Sequence, residues 1–194
     1  MKRTAIFLSL ALCFIFADRV YAQRTLPGMR SIELRAGMAD GWYSSSGRNS
    51  TGYYFGIAMN RYTRNASKWV VGAEYLCRNY PYKAGSAPVA QLTGEGGYYY
   101  KFLADGSKTF FLYFGGSFLA GYETVNWGEK RLYDGAMIRN RNCVLYGGAI
   151  TLEVDAYITD RIVVSLSGRE RILWGTTTGH FHTQFGVGLK FILN

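Results

Sequence analysis

From residue 31 onward, apolar and polar positions alternate with a period of two, as in strands whose two faces meet different surroundings. Ile32, Leu34, Ala36 and Met38 are interleaved with Glu33, Arg35 and Gly37. Tyr53, Phe55, Ile57 and Met59 form a second series, and Trp69, Val71, Ala73 and Tyr75 a third. Five more begin near Leu92, Phe110, Val144, Ile162 and Phe181, which makes eight predicted strands and no convincing helix. The stretches Arg64-Asn65-Ala66-Ser67, Ala104-Asp105-Gly106-Ser107 and Thr159-Asp160 read as tight turns. The other connections, Ala39 to Ser50, Asn79 to Pro88, Asn126 to Asn142 and Gly175 to Gly179, are longer. Even strand number with short turns at one end predicts an all-β fold: a single eight-stranded antiparallel up-and-down transmembrane β-barrel.

Composition agrees with strands. The 194 residues are 16% aromatic and include 24 Gly but only 3 Pro. Such glycine content weakens helices, whereas aromatic residues favour strands. With 48% apolar and 18% charged residues the chain is not a disordered tail. No apolar run reaches the roughly 18 residues that a spanning helix needs.

The first 22 residues read as an address. Met1-Lys2-Arg3 is a positive start, Thr4 to Ala17 is nearly all apolar, and Val20-Tyr21-Ala22 has the small-x-small form of a cleavage site. The stretch is short for an anchor helix, and Leu12 before Cys13 is bulky for a lipoprotein signal. The expected organisation is therefore a signal peptide over 1–22, an N-terminal periplasmic segment over 23–30, and the barrel over 31–194. Losing Lys2, Arg3, Asp18 and Arg19 lowers the net charge from +9 to +7. Cys77 and Cys143 remain, too few for a disulfide framework. A bridge between them stays open, with unpaired thiols the default.

A soluble β-sandwich also alternates, so the charges help to decide. Glu33, Glu74, Glu95, Glu123, Glu153 and Asp155 fall on the less apolar face, together with Arg35, Arg78, Lys101, Arg169, Arg171 and Lys190. That balance suits a narrow lumen, where an unpaired buried charge costs several kcal/mol. The predicted lumen network comprises Glu33, Arg35, Glu74, Glu95, Glu123, Glu153, Asp155, Arg169 and Arg171. On the apolar face, Trp69, Phe102, Phe110 and Phe191 lie towards one rim and Tyr75, Tyr122, Trp174 and Phe181 towards the other, as two girdles at the interfaces of a bilayer. The segment Gln184 to Phe191, with Gly186 and Gly188, resembles the C-terminal signal by which barrels are recognised for outer-membrane insertion. The chain departs from it by continuing through Ile192-Leu193-Asn194.

Chemistry is sparse. His180 and His182, spaced i and i+2 on a strand, share a face on which a metal site could begin, but no Cys or acidic partner is close in sequence and a ligand role is not expected. No nucleophile elbow is present, and a triad assembled from distant residues stays open. Gly94-Glu95-Gly96-Gly97 and Gly147-Gly148 precede no helix and are not phosphate loops; such glycines make room for facing aromatic rings. Arg169-Glu170-Arg171 is able to grip an anion, but an ion-pair cluster in the lumen is the simpler reading. The aromatics follow the strand period rather than a basic stripe, so no direct nucleic-acid binding is expected. No catalytic residue, cofactor or metal is assigned.

Several runs resemble the TraO family encoded by conjugative transposons. These are Gln23 to Gly28, Gly72-Ala73-Glu74-Tyr75-Leu76, Gly94 to Tyr100, Ala120 to Glu129, Leu132 to Ala136, Thr159-Asp160-Arg161 and Arg169 to Gly175. The resemblance implies a process, conjugation, served by accessory proteins of a transfer operon with a type IV secretion-like apparatus, and no catalytic residues. The expectation is a non-enzymatic outer-membrane component that seats or stabilises the transfer complex or the mating contact. Its partners are then outer-membrane lipid and other conjugal transfer proteins. An outer-membrane enzyme and a soluble periplasmic β-sandwich binding protein are the alternatives. At the rim carrying the short turns, Arg24, Arg30, Arg61, Arg64 and Lys68 form a candidate docking surface for an acidic partner.

Overall fold

A computed structural model describes residues 26–40, 52–82, 85–125, 128, 137, 142–176 and 179–193. The predicted signal peptide, Arg24 and most of the longer connections lie outside the described residues. Eight strands follow one another: β1 Arg30–Ala39, β2 Gly52–Tyr62, β3 Lys68–Tyr82, β4 Gly85–Ala104, β5 Phe110–Val125, β6 Asn142–Tyr157, β7 Ile162–Trp174 and β8 Phe181–Leu193. Each pairs antiparallel with its neighbours, and β1 closes on β8 from Arg30↔Leu193 to Ala39↔Gln184. Closure leaves no sheet edge to pair with another chain. Before β1, the Gly28 N–H donates to the Tyr62 carbonyl and the Tyr62 N–H to that of Met29, which ties the chain start to the end of β2.

The two faces separate as the alternation demands. Leu34, Phe55, Ile57, Val71, Phe118, Ile150 and Leu166 are exposed on the outer wall. Ser31, Glu33, Asn60, Tyr99, Tyr113, Leu145 and Lys190 are buried inside. An apolar surface running around the whole barrel far exceeds the patches that water-soluble proteins leave open; it is a surface for lipid. Trp69 and Phe102 mark the wall near the short turns, and Trp174 and Phe181 mark the end near the long loops. Trp69 packs edge-on against Tyr98 at 4.9 Å between ring centres, and Tyr146 stacks on Trp174 at 6.2 Å.

Two differences from the sequence expectation follow from pairing. The stretch Asn79 to Pro88 is not a long loop: Asn79↔Pro88, Tyr80↔Ala87, Pro81↔Ser86 and Tyr82↔Gly85 extend the β3–β4 ladder. In addition, Phe102 is an extra residue of β4, because Lys101 opposes Tyr113 while Leu103 opposes Leu112. Such a bulge bends the strand near the rim. Inside, glycines admit large rings. A Cβ on Gly186 would fall 2.0 Å from the Tyr54 hydroxyl, and one on Gly115 would fall 2.4 Å from the Tyr99 ring.

The wall assignment makes a direct prediction. Leu152→Arg places a cation on the lipid face, opposite Phe114 and Gly168 and so without a facing carboxylate, and costs about 2–4 kcal/mol near the midplane. Its inward neighbour Thr151 is buried beside Tyr99 and Arg169, so Thr151→Arg acts through crowding and unbalanced charge instead. Heat-modifiable gel mobility of the membrane fraction reads both: Leu152→Arg is expected to lower the inserted fraction. Equal indifference at the two positions contradicts the assignment.

Candidate functional site

The inward faces of the eight strands converge on a stack of ion pairs. In the half of the lumen towards the short turns, the ammonium groups of Lys68 from β3 and Lys190 from β8 both bond the Glu153 carboxylate of β6. Lys68 also lies 3.2 Å from Asp155 and Lys190 lies 3.8 Å from Glu33. The Lys68 ammonium sits 4.2 Å from the centre of the Tyr113 ring, close enough for a cation–π contact. Between this layer and the short turns, Tyr62, Phe111, Tyr157, Val163 and Ile192 at the turn ends of their strands, with Tyr113 and Val70, form an apolar plug.

A guanidinium layer follows. Arg35 lies 3.0 Å from Glu33 and 2.5 Å from Glu95. Arg169 reaches the second oxygen of Glu95 at 2.5 Å and donates to the Tyr99 hydroxyl at 2.7 Å and the Thr151 hydroxyl at 3.0 Å. Arg171 donates to Glu74 at 2.9 Å, and the Gln184 amide donates to the same oxygen at 2.7 Å. Towards the loops, Glu123 accepts from Gln91 at 2.7 Å, Thr176 at 3.0 Å and the Cys143 thiol at 3.5 Å. The nine lumen residues named from sequence are thus all inside and share these contacts. An internal void among Arg35, Tyr54, Glu74, Tyr99, Thr151, Glu153, Ser167 and Arg169 measures about 10 Å³, room for about one water.

At the loop rim, Asp40 gathers three donors. Arg78 donates at 2.5 Å, the His182 ring nitrogen Nδ1 lies 2.7 Å away, and the Thr183 N–H donates at 3.1 Å. Burial works to raise the Asp40 pKa, but the bond and charge of His182 and the Arg78 guanidinium outweigh it and hold the carboxyl below its ordinary value. The second ring nitrogen of His182 faces the Gly179 carbonyl at 3.1 Å. His180 is instead exposed, with Nδ1 at 2.9 Å from the Leu173 carbonyl. The two histidines therefore do not share a site, and among the described residues no three His, Cys, Asp or Glu side chains converge as metal ligands. Cys77 and Cys143 are not bridged to each other.

The docking residues divide. Arg30, Arg61 and Arg64 are exposed at the turn rim, and Arg24 lies outside the described residues. Lys68 does not belong with them. It is 0% exposed and paired with Glu153 and Asp155, because β3 begins at Lys68 itself and shares the inward parity of Val70. Its cation is spent in the lumen. Lys108 and Arg161 add exposed charge at the same rim. Asp105 there is turned to local use: its carboxylate accepts from the Thr109 N–H at 2.7 Å and the Phe110 N–H at 3.1 Å. Sequence reasoning also missed Glu170. Between the inward Arg169 and Arg171, it faces out of the barrel and accepts from the Thr183 hydroxyl at 2.6 Å.

Comparison with known proteins places these features. The family described as Conjugative transposon protein TraO matches residues 26–193. Comparison with curated protein sequences gives no match. Neisserial surface protein A has a similar structure, with a TM-score of 0.55 at 12% identity over 84% of this chain and 95% of that one. Ail, the attachment invasion locus protein of Yersinia pestis, has a TM-score of 0.52 at 11% identity over 87% of this chain and 100% of that one. At such identity the likeness is one of fold, the closed barrel of outer-membrane proteins.

Two measurements test the lumen. Glu153→Leu leaves Lys68 and Lys190 with too little negative charge, and breaking a buried pair costs about 3–5 kcal/mol. Urea unfolding of the purified barrel in micelles should show that loss. Asp40→Asn tests the rim cluster by pH. Because the Asp40 pKa is depressed by folding, its stabilisation is complete above the ordinary value of about 4 and fades as pH falls through the depressed one. The stability gap between parent and variant is expected to close on acidification; a gap independent of pH contradicts the assignment.

Proposed function

The chain belongs to the conjugative transposon protein TraO family, and from that membership we propose that it serves conjugation as a non-enzymatic outer-membrane component that seats the DNA-transfer apparatus. One observation carries this reading: the lumen is filled. Five cations, Arg35, Lys68, Arg169, Arg171 and Lys190, interlock there with Glu33, Glu74, Glu95, Glu153 and Asp155. An eight-stranded interior has space for side chains and little else, so a DNA strand cannot thread one barrel. Contact with other transfer proteins then falls to the surfaces.

The turn rim supports the role best. Arg30, Arg61, Arg64, Lys108 and Arg161 are exposed there against Asp105 and Asp160, and Asp105 is engaged within its own turn. In outer-membrane barrels the short turns face the periplasm, the side from which a transfer machine approaches. A basic rim favours an acidic surface on that machine, and such complementarity sets orientation and association rate more than affinity.

The double variant Arg61→Glu, Arg64→Glu tests the proposal. Both side chains are exposed, so the barrel is expected to insert with its heat-modifiable mobility intact while transfer frequency falls. Charge reversal at Lys130 and Arg131, in a longer connection, is expected to matter less. Parental transfer by an inserted Arg61→Glu, Arg64→Glu barrel overturns docking at this rim.

A further inference from the structure

The outer wall carries one feature that an idle lipid-facing surface does not need. Among the described residues, Glu170 is the one charged side chain on the outer face between the aromatic girdles. It lies on β7 four residues before Trp174. With a rise of about 3.3 Å per residue and a tilt near 40°, that is about 10 Å inside Trp174, and about 5 Å inside Phe181, which lies two residues from Thr183 on β8. Its cross-strand neighbours are Ile150 on β6 and Thr183 on β8. Thr183 supplies one hydrogen bond, whereas a carboxylate accepts about four. An ionisable group facing lipid inside the girdle is costly and marks function by default.

Beside it runs a groove. Gly96, Gly116 and Gly148 face outward on adjacent strands, and a Cβ on Gly96 or Gly116 would meet nothing within 4 Å. The depression measures about 870 Å³ and is bordered by Trp69, Phe118, Tyr146 and Trp174. Ile150 and Ile172, which flank Glu170, form its near wall. The acid and the groove are thus two neighbouring irregularities on one side of an otherwise apolar barrel.

We infer that this wall is a docking site, within the bilayer, for another membrane-spanning protein that presents a Lys or Arg side chain to Glu170 and apolar side chains to the glycine groove. Charge complementarity selects this occupant. Acyl chains fill the groove but bring no donor to the carboxylate. Lipid phosphates sit at or above the girdle and carry the same sign as Glu170. A second copy brings no cation, since the described wall between its girdles has none. A partner cation satisfies the carboxylate away from water, where charge-assisted hydrogen bonds are strongest. The site is separate from the basic turn rim and does not depend on it.

Photocrosslinking of the full-length protein in its own membrane tests the inference. A photoreactive phenylalanine analogue replaces Phe118 in the groove or Phe55 on the far wall, in parent, Glu170→Leu and Gly116→Leu backgrounds. Both substitutions put an apolar side chain against lipid, so insertion, checked by heat-modifiable mobility, is retained. The expected result is one adduct of defined size at position 118 and none at 55. Loss of the charge-assisted contact should lower its yield at least about tenfold in Glu170→Leu, and filling the groove in Gly116→Leu should do likewise. An adduct unaffected by Glu170→Leu overturns the inference, as does one of twice the barrel's mass, which means a second copy. Absence of any adduct at 118 overturns it in favour of lipid alone. Because the readout is an adduct and not transfer frequency, failure here is distinct from failure of the docking role of the rim.

Discussion

Closing eight strands into one barrel forces their polar faces into a space too narrow to keep water. Every charge turned inward must find its opposite there, since a buried ion left alone costs several kcal/mol. The lumen of this protein is the solution to that constraint. Glu153 answers both Lys68 and Lys190, Glu95 answers both Arg35 and Arg169, and Glu74 answers Arg169 and Arg171. Hydroxyls and amides from Tyr99, Thr151, Gln184 and Asn60 take up remaining donor and acceptor sites. The network joins β1, β2, β3, β4, β6, β7 and β8 through their centres. Backbone ladders thus hold neighbouring strands, while side chains hold strands on opposite sides.

That same filling directs function outward. A plugged barrel offers a partner only its rims and its wall. The turn rim is basic because its exposed arginines lie beyond the lumen and, with Lys108, outnumber the acids Asp105 and Asp160 there, and Arg61 and Arg64 flank the end of β2. Among the described residues, the wall between the girdles carries one charge, Glu170, where the strand alternation that turns Arg169 and Arg171 inward leaves the residue between them facing lipid. One three-residue run therefore contributes to internal stability and to an unusual external surface at once.

Much of this was legible in the chain because a strand's period of two is a local property. The eight strands, the inward parity of Glu33, Arg35, Glu74, Glu95, Glu123, Glu153, Asp155, Arg169 and Arg171, and the outward parity of Ile150 and Leu166 follow from counting alone. So do the two aromatic girdles. The resemblance to the TraO family likewise rests on runs of residues, and it alone connects the chain with conjugation.

Only the tertiary structure decided who meets whom. Glu33 and Lys190 are far apart in sequence and adjacent because β1 closes on β8 in one register. Lys68 reads as a turn residue until β3 is seen to begin with it, and one position of strand boundary converts a surface cation into a lumen ion. Asn79 to Pro88 reads as a loop because Pro81 and Pro88 interrupt the pattern, yet cross-strand pairing carries the hairpin through them. The sequence by itself determined the faces, since alternation needs no partner. Registry, closure and the pairing of charges required the folded barrel, since each depends on strands whose separation along the chain the local pattern does not encode.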